Sequence, residues 1–252
     1  MLQTIKHSDG VVELRLDRPP VNALNPALVT ALDQAIAEQT EQGARALVLS
    51  GRPGLFSAGL DVPGLLGLDE AGMRDFWRLF FGLLGRVATS PVPVVAALTG
   101  HSPAGGTVIA LYADYRVQAE GDFRLGLNEV QVGLVVPPVI HQALVRLIGG
   151  YAAERHLVAG EMIPATQALD IGLVDEIVAA DQVVETAVAW CRRHLALPQH
   201  AMAATRALCR ADLAKPFEDA AALDVDGFVR GWFSEETQAT MRGLVERLKK
   251  SA

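Results

Sequence analysis

Between Leu125 and Ile140 the chain reads LGLNEVQVGLVVPPVI, and Glu129 is the one charged residue in the run. A carboxylate among apolar neighbours finds partners, takes up a proton or stays near water, and each outcome moves its pKa in a known direction. In a cleft such a group can act as a general acid or base. At a strand end or helix start it would simply face solvent, and the stretch alone leaves both readings open.

Two glycine-containing turns could supply the complement to that acid. One is GRPGLFSAGLDV, Gly51 to Val62; the other is GHSPAGGTV, Gly100 to Val108. Glycine lets backbone N–H groups come close to a ligand, and a turn that opens a helix leaves N–H donors free at its positive end. Two such turns on neighbouring strands could aim two donors at one oxygen, forming an oxyanion hole. They would serve equally as packing devices, which glycine turns commonly are in α/β proteins. Neither carries a GxGxxG fingerprint or a P-loop, and no GxSxG elbow gives Ser57 or Ser102 a nucleophile's setting. His101, His141 and the other histidines are scattered, Cys191 and Cys209 lack metal-type spacing, and no metal site is expected.

The elements around these turns read as a layered α/β fold. Leu2 to His7 and VVELRLD form a hairpin across Ser8-Asp9-Gly10. Asn25 caps a helix with Pro26 at its first position, and Gly43 ends it. ARALVLSG and VPVVAAL read as buried strands, each leading into one of the glycine turns. DEAGMRDFWRLFFGLLGRVA shows an apolar stripe at helical spacing. Strand–helix–strand order favours right-handed crossovers. Beyond Ile140 the chain reads as helical apart from VDEIV at 174–178. Residues 1–197 are taken as the α/β core with the site, and 198–252 as a helical region for oligomerisation.

With 252 residues, half of them hydrophobic, the chain can bury a substantial core. A net charge of −7 argues against nucleic acid or an anionic membrane as the main partner. The N-terminus lacks the apolar core of a signal peptide, and a cytosolic protein is expected.

FSAGLD, SPAGG and GLNEVQVG, in this order and spacing, resemble the crotonase (enoyl-CoA hydratase/isomerase) superfamily. The likeness extends from RPPVNALN to YAAERHLVAGEMIPATQALDIGLVDEIV, covering nearly the whole chain, and is greatest to the Δ3,Δ2-enoyl-CoA isomerase branch. The resemblance implies a ClpP/crotonase-type spiral of repeated ββα units, with C-terminal helices that build a homotrimer or a dimer of trimers. It also implies an acyl-CoA thioester substrate, with no cofactor beyond the CoA that the substrate carries. It places the oxyanion donors on the N–H groups of Leu60 and Gly105 and the catalytic carboxylate on Glu129, with Asn128 beside it. Ala58, Gly59, Leu60, Asp61 and Val62 would line the thioester path, and Asn22, Ala23 and Leu24 an edge touching the nucleotide end of CoA. Phe76, Phe80, Leu83 and Trp232 are candidates for the acyl pocket, and Arg52, Lys249 and Lys250 are available for phosphates.

One departure from the family pattern bears on the reaction. Family hydratases carry a second glutamate a few residues past the oxyanion glycine; here that position is Val108, and no acid occurs before Asp114. Adding water across a double bond divides naturally between two carboxylates. Shifting a double bond from β,γ to α,β needs one base that takes a proton from C2 and returns it at C4. The expectation is therefore an enoyl-CoA isomerase of fatty acid β-oxidation. A one-glutamate hydratase or another acyl-CoA-transforming crotonase, and a non-catalytic acyl-CoA-binding protein, are the alternatives.

Overall fold

The computed structural model describes residues 1–251. Strand β1 (Leu2–Lys6) pairs antiparallel with β2 (Val11–Leu16), and Asp9 and Gly10 turn the hairpin at φ of 64° and 79°. Helix α1 (Pro26–Glu41) starts where the Asn25 side chain accepts the Leu28 N–H at 2.9 Å. It stops just before Gly43, whose φ is 90°.

Three β–β–helix units follow. β3 (Ala46–Ser50) and β4 (Gly54–Leu55) lead to the single-turn α2 (Val62–Leu65) and the long α3 (Glu70–Ala88). β5 (Val94–Leu98) and β6 (Gly100–Pro103) lead to α4 (Gly105–Leu111). β7 (Tyr115–Ala119) and β8 (Arg124–Gly126) lead through a 3-10 turn, Glu129–Val132, to α5 (Pro138–Ile148) and α6 (Gly150–Ala159). The chain then adds β9 (Ile163–Pro164), α7 (Ala165–Asp170), β10 (Glu176–Val178) and α8 (Val183–Leu195). The first strand of each unit joins a six-stranded sheet ordered β1-β2-β3-β5-β7-β10, parallel from β2 onward. The second strands build a separate sheet ordered β4-β6-β8-β9. This is the ββα spiral that the resemblance implies.

The second sheet corrects the reading of both glycine segments as turns alone. Gly54 pairs with Gly100, and Ser102 with Leu125. These strands are two to four residues long and carry no apolar alternation. Their pairing depends on absent side chains: a Cβ on Gly100 would collide with the carbonyl carbon of Gly54. Periodicity cannot register a strand made that way.

The core lies on both faces of the large sheet. One face carries α3, whose Phe76, Trp77, Phe80, Phe81, Leu84 and Val87 are buried, together with α1. Burying a side chain of that size is worth about 1.5–3 kcal/mol, so this one helix anchors the layer. The other face packs Val48, Val95 and Val117 against Val183, Ala187 and Val188 of α8.

Helices α9 (Gln199–Cys209), α10 (Ala211–Ala214), α11 (Val225–Trp232) and α12 (Glu235–Ser251) complete the described chain. A buried ion cluster docks them. Asp114 accepts from Arg206 Nε at 2.7 Å and Arg206 Nη2 at 2.8 Å, lies 3.3 Å from Arg210 Nη1, and takes the Val94 N–H at 2.8 Å. At the other end Thr237 Oγ1 donates to the Gly133 carbonyl at 2.6 Å, fixing the start of α12 beside the turn that bears Glu129.

Candidate active site

A cavity of about 570 Å³ lies between the ends of the two sheets and the C-terminal helices. Its wall joins Ala58, Leu60, Asp61 and Val62 from the first glycine segment to Ala104, Gly105 and Val108 from the second. Asn128 and Glu129 complete it from the 3-10 turn, and Phe228, Met241, Leu244 and Leu248 come from α11 and α12. The region 198–252, read from sequence as an oligomerisation unit, therefore also walls the cavity.

The segment 56–62 is stitched to residues 18–24 by a run of hydrogen bonds. Asn22 Nδ2 donates to the carbonyls of Leu16 and Phe56 at 3.1 and 3.0 Å, and Ser57 Oγ donates to Asn22 O at 2.8 Å. The Ala58 N–H goes to Val21 O, Gly59 N–H to Ser57 Oγ, Asp61 N–H to Leu24 O and Val62 N–H to Leu60 O. Leu24 in turn donates to Gly59 O at 2.8 Å. Within 58–62 the Leu60 N–H is the donor left without a protein acceptor among the described residues. A backbone donor beside a cavity and otherwise unpaired is a group waiting for a ligand oxygen.

The second turn is held in strain. Ala104 sits at φ 46° and ψ −119°, a region that side-chain-bearing residues rarely occupy and that costs about 1–3 kcal/mol. Its N–H is tied to Gly126 O at 2.8 Å, and the Gly105 N–H that follows has no protein acceptor among the described residues. The two segments touch: a Cβ on Gly105 would lie 3.4 Å from Leu60 Cδ2 and 3.5 Å from Gly59 Cα. Two unpaired donors thus face one cavity from adjoining loops.

Glu129 completes the arrangement. The residue is half-buried, but its Oε2 is shielded from solvent and has no hydrogen-bond partner among the described residues. Burial pushes its carboxyl from 4.5 up to about 7, with its own backbone N–H pulling slightly the other way. The other acid in the wall, Asp61, is occupied by Arg18 Nη2 at 2.8 Å. Val108, the position at which the resemblance implies a second acid in hydratases, is 1% exposed and apolar. Asp114 lies three residues beyond α4 in the ion cluster described above.

Of the residues expected at the site, Ala23, Ala58, Leu60, Asp61, Val62, Gly105, Asn128 and Glu129 share this wall. Asn22 and Leu24 do not: Asn22 is fully buried, holding the stitched loops, and Leu24 lies beneath Gly105. Gly59 sits behind the wall at φ 83°, spacing the two turns. Among the acyl-pocket candidates Phe80 lines the cavity, whereas Phe76, Leu83 and Trp232 are packed in the core behind it. Trp77, Phe228 and Arg18 line it unannounced. Trp77 neighbours Phe76 on the same apolar stripe, so helical spacing could have offered it; Arg18 opens the RPPVNALN segment, but nothing there assigned it a role. Arg52 does not line the cavity but donates to the carbonyl of Pro20, which does, and Lys249 and Lys250 are exposed at the end of α12.

A family profile described as Enoyl-CoA hydratase/isomerase matches residues 6–251. The human protein named enoyl-CoA delta isomerase 1, mitochondrial, is 35% identical over 243 residues, which is 95% of this chain and 80% of the relative. A probable enoyl-CoA hydratase of Mycobacterium avium is 37% identical over 202 residues, 79% of this chain and 77% of that one. The crystal structure of human mitochondrial delta3-delta2-enoyl-CoA isomerase superimposes with a TM-score of 0.94 at 33% identity, covering 99% of this chain and 98% of that chain.

Proposed function

The chain belongs to the enoyl-CoA hydratase/isomerase family, and on that premise we propose that it is a Δ3,Δ2-enoyl-CoA isomerase with Glu129 as its single proton carrier. The thioester oxygen of a 3-enoyl-CoA accepts from the N–H groups of Leu60 and Gly105. Glu129 removes a proton from C2, the charge spreads over a dienolate, and the same proton returns at C4 to give the 2-trans-enoyl-CoA. A carboxylate alone is a weak base for a thioester α-proton. Each preorganised donor at the developing oxyanion is typically worth ~3 kcal/mol, and the raised pKa of Glu129 strengthens it as a base.

The observation that carries this reading is the inventory of acids in the wall. Glu129 is unpaired, Asp61 is bound to Arg18, and Val108 stands where a water-activating acid would be needed. Hydration remains the second reading because a named relative is a probable hydratase. Ultraviolet absorbance separates the two. An isomerase raises the conjugated-thioester signal from a 3-enoyl-CoA and leaves a 2-enoyl-CoA unchanged; a fall with the 2-enoyl substrate and no rise with the 3-enoyl one would sink the proposal.

No cofactor beyond the CoA of the substrate enters this scheme. The same reading extends to a homotrimer or dimer of trimers built through 198–252, where Leu208 of α9 stands 78% exposed. Light scattering tests it. Among the described residues no helix is long and apolar enough to cross a membrane. A cytosolic location stays part of the proposal, although the human relative is named mitochondrial.

A further inference from the structure

Arg18 opens the RPPVNALN segment without an assigned role in the sequence, yet it is the one cation in the cavity wall among the described residues. Its guanidinium reaches in two directions. Nη1 donates to the Ala23 carbonyl at 3.1 Å, and Nη2 donates to Asp61 Oδ2 at 2.8 Å. Its own backbone is fixed at both ends, because its N–H goes to Asn22 Oδ1 at 2.8 Å and its carbonyl accepts from Asn22 N at 2.8 Å. Both members of the ion pair are partly buried, with side chains 26% and 17% exposed.

From this geometry we propose that Arg18 is a positioning residue that keeps the Leu60 N–H aimed into the cavity. The inference rests on the oxyanion role proposed for Leu60. Leu60 follows Gly59, a residue at φ 83° with no side chain to restrict it. Glycine gives the turn its shape, and it leaves the orientation of the next peptide plane to whatever bonds hold that plane. The N–H end of the Gly59–Leu60 peptide plane is unpaired, and its other end is held only where Gly59 O accepts from Leu24 N–H at 2.8 Å. A second restraint comes from Asp61, whose N–H is bound to Leu24 O and whose side chain is bound to Arg18, while Arg18 also holds the Ala23 carbonyl beside Leu24. Arg18 thereby ties the segment 22–24 to the residue that immediately follows the donor. With Asp61 neutralising it, the guanidinium contributes geometry more than charge to a thioester oxygen. Displacing a preorganised group by about 1 Å can cost on the order of a hundredfold in rate.

The experiment compares Arg18→Met, Arg18→Lys and Asp61→Asn with the unmodified protein, using three readouts. Steady-state kinetics give kcat and KM on a 3-enoyl-CoA. Calorimetry gives the Kd of a saturated acyl-CoA, butyryl-CoA. Absorbance gives the enolate fraction of bound acetoacetyl-CoA, read in a Glu129→Gln background so that it is independent of the base. Arg18→Met is expected to lower kcat by about tenfold to a hundredfold. It should weaken the enolate band and leave KM and the butyryl-CoA Kd within about twofold; Arg18→Lys should restore part of both losses. If Arg18→Met does not fold, Asp61→Asn, which keeps the size of the side chain, carries the same expectations. The inference is overturned by an unchanged kcat and band, or by an unchanged kcat with KM and Kd raised about tenfold. That second result would make Arg18 a contact for CoA. A band that is present but indifferent to Arg18 removes this inference alone. No band in the protein with Arg18 intact removes the oxyanion reading and this inference with it.

Discussion

Gly59 stands so close to Gly105 that a methyl group on its α-carbon would lie 3.3 Å from the Gly105 nitrogen. It would also lie 3.0 Å from both Pro103 O and Ala104 Cβ, and Gly59 holds a φ of 83°. Gly59→Ala therefore has to push the two donor turns apart. The expected result is a loss of about 10²–10³ in kcat, the cost typical of removing one oxyanion donor. Acyl-CoA binding should weaken much less. Steady-state kinetics beside calorimetry with a saturated acyl-CoA decide it, and normal turnover would show that the spacing of the turns is irrelevant.

Glu129→Gln keeps the shape of the side chain and removes its basicity. General acid–base catalysis contributes about 10²–10⁴, so kcat should fall by at least the lower figure while acyl-CoA affinity persists. Near-normal turnover in this variant would take Glu129 out of the mechanism.

The raised carboxyl also ties activity and stability to pH in opposite senses. The base must be ionised, so kcat/KM for the isomerisation should rise with pH and level off above an apparent pKa of about 7. Stability runs the other way. Below 4.5, the ordinary value, folded and unfolded chains both hold the proton and the site costs nothing. Between 4.5 and about 7 the unfolded chain releases it while the folded chain keeps it, so stability falls as pH rises. Above that window the loss is complete, on the order of 3 kcal/mol. Glu129→Gln should accordingly melt higher than the unmodified protein at pH 8 and match it at pH 4. A variant less stable at pH 8 would mean that the carboxylate is satisfied in solution.

How much of this was legible in the sequence depended on what each signal consists of. Asn25-Pro26, Gly43 and the stripe of α3 are local devices, and each element formed where its spacing predicts. The second sheet was invisible because β4 and β6 pair through glycines, which leave no pattern. At the site, the motif resemblance brought Leu60, Gly105 and Glu129 to one wall, since glycine turns and a lone acid are local features too. Asn22 and Leu24 lie off that wall because the loop at 56–61 buries them, and the resemblance covered Arg18, the first residue of RPPVNALN, without giving it a role. The partner of Arg18, Asp61, is 43 residues away, and no spacing rule operates at that range.

Asp114 offers a test of how the C-terminal helices are held. Breaking a buried charge pair by removing one partner typically costs about 3–5 kcal/mol, because the remaining charge is stranded. Asp114→Asn would leave Arg210, whose side chain is 8% exposed, facing no carboxylate in the cluster. The expected outcome is a melting transition lowered in step with that cost, and limited proteolysis that cuts first between α8 and α11. Unchanged melting would show that apolar packing alone docks these helices.

The isolation of Glu129 Oε2 has a consequence for isotopes. An oxygen with no neighbour to pass a hydrogen to, and no exposure to bulk water, tends to keep the nucleus it has just received. Substrate carrying deuterium at C2 should deliver much of that label to C4 of the product even in ordinary water, so mass spectrometry of a single turnover would record the path of one atom.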